Sequence, residues 1–402
     1  MSKRSSGKVR VDFRKNRLSK TRKTDVTREF QQETLNEDAS LREERISGKG
    51  TMTRQRTIQV ETDAAGECAD GEFLLAVTGD ARLGLVLRVH GLNTFVEDDE
   101  TGQVYVCAVR RLLKTLSTDQ RHVVVAGDRV LFRPAPQNAR VQDSEKGERS
   151  ETLPEGIIER VEPRRGCLSR TSWKRQHVIV SNVDQLLIVT SLAEPTIKWN
   201  LIDRMIIMAE KAHIRPVLCV NKIDLADPCE LLPDFGVYGR MGYEILLVSA
   251  RTGQGVERLR QRVQRKGLRS VVAGQSGVGK SSLLNAIEDG LALRTSHVSE
   301  MNQKGRHTTT AAELIKLSSG GYVVDTPGIR SFDLWDVTPS EVCGFYRDIA
   351  PFTSLCRFQD CTHTHEKDCA VREAVEDCLI DARRFESMLQ IRDSRDLPED
   401  WE

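Results

Sequence analysis

A chain of 402 residues is longer than one ordinary compact domain, and at roughly 100–200 residues per domain two or three are expected. Hydrophobic residues make up 39% and charged residues 30%, enough for real cores; the apolar runs are only strand-length and the first thirty residues lack a secretory apolar stretch, so neither a membrane-spanning helix nor a signal peptide is expected. The net charge of +1 conceals an asymmetry, with +8 over residues 1–30 and −7 over the rest.

Residues 1–55 are rich in charge and show no sustained period, which predicts a disordered basic arm. Such a tail either meets a polyanion or is simply solvated, and no aromatic interleaving argues for base stacking. Residues 56–165 change to short β runs, among them 84–91, 104–109, 123–132 (broken at Gly127-Asp128) and 156–161. Several short strands with turn signals and little helix predict a small β-barrel of the oligonucleotide/oligosaccharide-binding (OB) type. Local basic spots occur at Arg110, Arg111 and Lys114 and at Arg164, Arg165, Arg170, Lys174 and Arg175.

Residues 173–331 alternate strands and helices. The runs 183–190, 215–221, 244–250, 269–274 and 322–325 are apolar and strand-length, and 201–211 has helical spacing. Continuous rather than alternating apolar strands between helices predict a parallel sheet covered on both faces. Residues 332–402 hold a cysteine cluster and a polar helical stretch from Val371 to about Arg392, predicting a mostly helical C-terminal domain.

Four motifs carry chemistry. Gly274, Gln275, Ser276, Gly277, Val278, Gly279, Lys280, Ser281 and Ser282 run from a strand into a helix and fit G-x-x-x-x-G-K-[ST]. Glycines let backbone N–H groups wrap phosphates, Lys280 reaches the β- and γ-phosphates, and the Ser281 hydroxyl ligates Mg²⁺. Asn221, Lys222, Ile223 and Asp224 end a second strand, where a carboxylate can accept from guanine N1–H and N2–H₂; adenine lacks that donor pair. Ser249 and Ala250 end a third strand, where a backbone N–H could meet guanine O6. After a fourth, Asp325 would hold Mg²⁺ through water and the Gly328 N–H would meet the γ-phosphate; in the loop before it, Thr309 is favoured over Thr308 as a second Mg²⁺ ligand. The base-reading motifs precede the phosphate loop, the reverse of the usual GTPase order, so the chain is read as circularly permuted. Beyond them, Cys356-x₄-Cys361-x-His363-x₅-Cys369 is a closed tetrahedral zinc set, structural rather than catalytic, with His365 as an alternative nitrogen ligand. Cys343 and Cys378 read as core or surface thiols.

Taken together, the permuted order, the loop 274–282, Arg306-His-Thr-Thr-Thr310, Asp325-Thr-Pro-Gly328 and the Cys356/Cys361/His363/Cys369 set resemble the ribosome small-subunit-dependent GTPase A proteins, the RsgA or YjeQ group, over about residues 70–390. The resemblance implies an OB barrel, a permuted GTPase domain and a zinc domain. It also implies a cytoplasmic protein that binds the small ribosomal subunit and its rRNA, assists late maturation, and hydrolyses GTP to GDP under stimulation by the subunit. A monomer with no membrane partner is expected. The basic arm is longer than usual for the family. Ile329 stands where some GTPases use a Gln to orient water, so intrinsic hydrolysis should be slow, and His307 is the candidate catalytic residue. The alternatives are a nucleotide-gated rRNA-binding scaffold with negligible turnover, an ATPase of another kind, which Asp224 disfavours, and a zinc hydrolase, which a four-ligand site disfavours.

Overall fold

The computed structural model describes residues 5–12, 55–62, 80–110, 113, 123–135, 153–172, 175–288, 312–325 and 337–394. Among them, Ser5–Asp12 (β1) and Gln55–Thr62 (β2) pair as an antiparallel ribbon. The expected disorder of 1–55 therefore does not extend over β1. Its register matches Val9 to Ile58 and Val11 to Arg56, and the period-2 placing of Val9 and Val11 is a strand signal hidden among the charges.

A closed barrel follows, built from Arg82–His90 (β3), Asn93–Asp98 (β4), Val104–Val109 (β5), Arg129–Pro134 (β6) and Glu155–Val161 (β7). The strand order is β3-β4-β5-β7-β6, and a β3–β6 pairing closes the ring, with β5 and β7 parallel. That is the OB arrangement expected from the sequence. Alternating residues fill the interior, including Val96, Tyr105, Cys107, Val130, Phe132 and Ile158, and the Tyr105 and Phe132 rings meet at 5.0 Å. Strand β4 was not anticipated, although the Gly91-Leu92 turn before it is a hairpin signal.

Leu168–Ser172 (β8) and Arg175–Val180 (β9) form a second antiparallel pair. Next comes the α/β sheet of Gln185–Ser191 (β10), Arg215–Asn221 (β11), Glu244–Leu247 (β12), Arg269–Ala273 (β13), Glu313–Lys316 (β14) and Tyr322–Asp325 (β15). The order is β12-β11-β10-β13-β15-β14, parallel except for the β14–β15 pair. Every residue of β10 and β13 is buried, as strands covered on both faces must be. Helices Trp199–Lys211 (α1), Leu232–Arg240 (α2), Val256–Val263 (α3) and Lys280–Ile287 (α4) supply the covers. Leu259, Val263, Leu283 and Ile287 share one apolar cluster with Leu187, Val217, Leu246 and Val272 of the strands.

The C-terminal part holds a 3₁₀ segment, Pro339–Phe345, and helices Ala350–Thr353 (α5), Ala370–Glu376 (α6) and Ala382–Arg392 (α7). The single helical stretch expected from Val371 to Arg392 is two helices. Cys378 takes a left-handed φ of 58°, and the Asp381 carboxylate then accepts from the Arg383 and Arg384 N–H groups to start α7. Ile207 on α1 joins Val342, Tyr346, Ile349, Val371, Met388 and Ile391 in one buried cluster. Among the described residues no helix is long and apolar enough to cross a membrane.

Candidate functional site

Parallel register brings the carboxyl ends of β10, β11, β12 and β13 to one edge of the sheet, the edge where open α/β sheets bind ligands. The loop after β13 runs through Gly274, Gly277 and Gly279 at φ 148°, 84° and 88° and then opens α4. A Cβ on Gly274 would lie 2.0 Å from the Val189 carbonyl oxygen, so the loop can hug the sheet only without a side chain there. Val278 is 1% exposed and packs into the sheet core, while Ser276 and Gly277 are exposed. Gln275, Ser281 and Ser282 lie at the same strand-to-helix junction. Lys280 folds back over its own loop, its Nζ donating to the Gly274 and Gln275 carbonyls at 2.8 Å each.

The loop after β11 is tied to this one directly. Asn221 donates from Nδ2 to the Val278 carbonyl at 2.8 Å, and its Oδ1 accepts from the Ala250 N–H at 3.2 Å. One buried amide thus bridges three strand-end loops. Of the backbone N–H groups of Ser249 and Ala250, one of which is expected to meet guanine O6, that of Ala250 donates to Asn221 and that of Ser249 to the Gln254 carbonyl. Ile223 is buried, Lys222 sits at φ 61°, and Lys222 Nζ donates to the Glu194 carbonyl at 2.6 Å. Asp224 Oδ1 accepts from the Ser249 hydroxyl, and Oδ2 lies 2.7 Å from Arg251 Nη2. The Ser249 hydrogen bond, with the nearby Arg251 and Lys222 charges, holds the Asp224 carboxyl below its usual range. Asn221, Asp224, Ser249, Ala250 and the 274–282 loop are therefore gathered at one edge. The backbone of Asp325 ends β15 beside β13. His307, Thr308, Thr309, Gly328 and Ile329 lie outside the described residues.

The second cluster is Cys356, Cys361, His363 and Cys369, whose ligand atoms all lie within 4.8 Å of one another. His363 Nδ1 is 3.6 Å from Cys356 Sγ and 3.4 Å from Cys369 Sγ, and the two sulfurs are 3.9 Å apart. Zinc bonds of about 2.3 Å to sulfur and 2.0–2.1 Å to nitrogen, set tetrahedrally, put ligand atoms roughly 3.5–3.8 Å apart. The donor set therefore fits zinc in chemistry, and its Cys356, His363 and Cys369 atoms fit it in spacing. His365 is exposed and bonds the Thr364 hydroxyl at 2.9 Å, which leaves His363 as the nitrogen of the set. Burial, reinforced by the Cys369 thiol, pushes the Cys361 thiol up to about 12, and burial pushes the His363 ring down. Glu366 braces the knuckle: its carboxylate bonds the Thr362 hydroxyl and accepts from the N–H groups of Thr362, Thr364 and His365. Cys343 packs in the apolar cluster and Cys378 is exposed, as expected of thiols outside the set.

A model of the family described as RsgA GTPase matches residues 161–335. A protein of Vibrio vulnificus strain YJ016, named small ribosomal subunit biogenesis GTPase RsgA 1, is 38% identical over 326 residues, covering 79% of this chain and 85% of its own. A protein of Thermotoga petrophila, named small ribosomal subunit biogenesis GTPase RsgA, is 38% identical, covering 77% of this chain and 95% of its own. This chain belongs to the RsgA GTPase family. The crystal structure of YjeQ from Thermotoga maritima superposes with a TM-score of 0.59 at 34% identity, covering 78% of this chain and 97% of that one. YloQ, described as a circularly permuted GTPase, gives 0.58 at 26% identity, covering 79% and 96%. As an RsgA GTPase the chain is a GTP-hydrolysing P-loop enzyme, which sets aside a scaffold without turnover, another kind of ATPase and a zinc hydrolase. Arg251, which the sequence reading did not single out, pairs with the Asp224 carboxylate. A lone Arg after Ser-Ala carries no motif signal, and only its contact with Asp224 reveals it.

Proposed function

We propose that this chain is a GTPase of small-subunit maturation: it binds the small ribosomal subunit and its rRNA in the cytoplasm as a monomer, and the subunit stimulates its hydrolysis of GTP to GDP. The observation that carries the reading is the Asn221 bridge, which joins the phosphate loop to the loop bearing Asp224. In this reading Asn221, Lys222, Ile223, Asp224, Ser249 and Ala250 form the base pocket, and residues 274–282 cradle the phosphates. Ser281, Thr309 and Asp325 would hold Mg²⁺, Gly328 would meet the γ-phosphate, and His307 would act at the attacking water. Lys280 exchanges its two loop carbonyls for phosphate oxygens. A zinc ion on Cys356, Cys361, His363 and Cys369 cross-links the knuckle. The domains run 1–55, 56–165, 173–331 and 332–402.

Docking uses the barrel and the zinc domain. The zinc domain exposes Leu355 and Phe358, with the Arg357 guanidinium, itself paired with Asp368, 5.6 Å from the Phe358 ring centroid, an apolar surface suited to unstacked rRNA bases. Two of the basic spots are already partnered, Arg110 by Glu159 and Arg164 by Asp128, so rRNA phosphates fall to other cations. Purified small subunits should raise GTP turnover at least tenfold over the chain alone, and the stimulation should shrink between about 50 and 200 mM salt as phosphate contacts weaken. Turnover indifferent to the subunit would remove the reading.

Gly279→Ala probes the bridge. The new Cβ would lie 2.5 Å from Asn221 Nδ2, at a φ of 88°. The left-handed backbone costs about 1–2 kcal/mol and a displaced hydrogen bond about another 1 kcal/mol. GDP affinity, read by titration, should fall at least tenfold while the fold is retained.

A further inference from the structure

Both oxygens of the base-reading carboxylate are engaged without a base. Asp224 Oδ1 takes the hydroxyl of Ser249, a residue with no exposed surface, and Oδ2 takes Arg251 Nη2 at 2.7 Å. The two partners differ in kind. The Ser249 hydroxyl also accepts from the Thr252 N–H at 3.1 Å, and the Ser249 N–H donates to the Gln254 carbonyl at 2.9 Å, so it is built into its turn. The Arg251 side chain is 72% exposed against 10% for Asp224, so the guanidinium lies on the solvent side of the carboxylate. Its long, flexible stem can leave at little cost.

We infer that Arg251 gates the base pocket by competing with guanine for the Asp224 carboxylate, and so sets the rate at which guanine nucleotides enter. The inference rests on the reading of Asp224 as the base-recognition residue. Guanine brings two donor groups, N1–H and N2–H₂, that match two carboxylate oxygens. The buried Ser249 bond can persist, because an ionised carboxylate accepts about four hydrogen bonds. The Arg251 bond occupies the outer position, so guanine entry is an exchange of a guanidinium for the base. Between nucleotides the guanidinium keeps the carboxylate compensated; once the base is seated, it is released to solvent.

The exchange concerns the empty site, and the test reads that asymmetry. Stopped-flow binding of GDP carrying a ribose-linked fluorophore to the full chain should show association about two- to fivefold faster for Arg251→Ala, the range of an exposed ion pair, with dissociation unaltered. Arg251→Lys, which keeps the charge but loses the planar fork, should fall between the two. High salt should screen the pair and bring the native chain towards Arg251→Ala. Association that does not change on Arg251→Ala overturns the gate. Faster dissociation overturns it too, because it puts the guanidinium on the bound nucleotide. Asp224→Asn, run beside it with GDP and xanthosine diphosphate, reports on the base reading itself. A variant that does not gain xanthosine diphosphate removes the reading and the gate together, whereas a gain beside an unaltered Arg251→Ala removes only the gate.

Discussion

Cys369→Ser should release zinc and unfold the C-terminal helices while leaving the parallel sheet intact. Cys369 occupies three structural roles at once. It supplies one of the four clustered donors, it is the residue from which α6 starts, and at 3% exposure it is part of the buried cluster with Val371, Ile380 and Met388. The segment it helps to hold is otherwise poorly secured. Between Cys356 and Cys369 there is no regular helix or strand, and two residues, His363 and Asp368, stand at a φ of 60°. Its local ties are mostly exposed polar ones, among them the Glu366 bonds, the Arg357–Asp368 pair, and the bond from Arg392 of α7 to the Thr362 carbonyl. Structural zinc sites in small domains contribute on the order of 10 kcal/mol of folding free energy. Losing one thiolate therefore outweighs the small surface ties. Metal analysis should show about one zinc per native chain and far less in the variant. Hydrogen exchange should become fast across α6 and α7 and stay slow in β10, β11 and β13. A variant that keeps both its metal and its α7 protection would falsify the structural role.

Arg384→Met should destabilise the packing of α7 on α1 by about 3–5 kcal/mol, because it strands two carboxylates in a dry interface. Arg384 is 2% exposed and Asp203 1%. The guanidinium bonds Asp203 from α1, and its Nε and Nη2 reach the two Asp348 oxygens at 3.1 and 3.0 Å. It lies 4.3 Å from the Tyr346 ring centroid, and the Tyr238 hydroxyl donates to Asp203 at 2.8 Å. Burial works against the Arg384 charge, and the Asp203 and Asp348 charges outweigh it, so the guanidinium stays ionised. The network ties α7 to Asp203 of α1 and to Asp348 through one guanidinium. The urea midpoint of the C-terminal transition should drop, with faster exchange along α7. Replacing Arg384, Asp203 and Asp348 together by apolar residues should recover most of the loss, since no charge is then left unpaired. Equal losses for the single and triple variants would mean that shape, not charge, carries the contact.

This network joins the sheet to the C-terminal helices. The ionic cluster and the Lys211–Glu341 pair, at 2.8 Å, join α1 to the C-terminal helices. The β10–α1 connection carries the Glu194 carbonyl that Lys222 bonds. The strand-end loop of Lys222 and the C-terminal helices therefore meet α1 or the loop that leads into it.

Legibility in the sequence tracked how local each feature is. The phosphate loop, the base-reading strand end and the cysteine set are short patterns in which residue type and spacing alone imply the chemistry, and the five parallel strands announced themselves as uninterrupted apolar runs. The permuted order was likewise visible, because it is a property of motif sequence rather than of packing. Strands β4 and β14, of six and four residues, were missed because their short runs lack a clear period. The break at Cys378 was missed because a left-handed cysteine carries no propensity signal.

What the sequence by itself carried was the short motifs and their order along the chain, since those follow from which donors and acceptors stand side by side along a few residues. Tertiary structure alone decided how the loops are joined and guarded: the Asn221–Val278 bond spans 57 positions, Arg251 meets Asp224 across two strand ends, and Arg384 finds Asp203 across 181 positions. The physical reason is that a buried polar group must find a partner once water is excluded. Which partner it finds depends on the packing of elements whose separation along the chain carries no pattern.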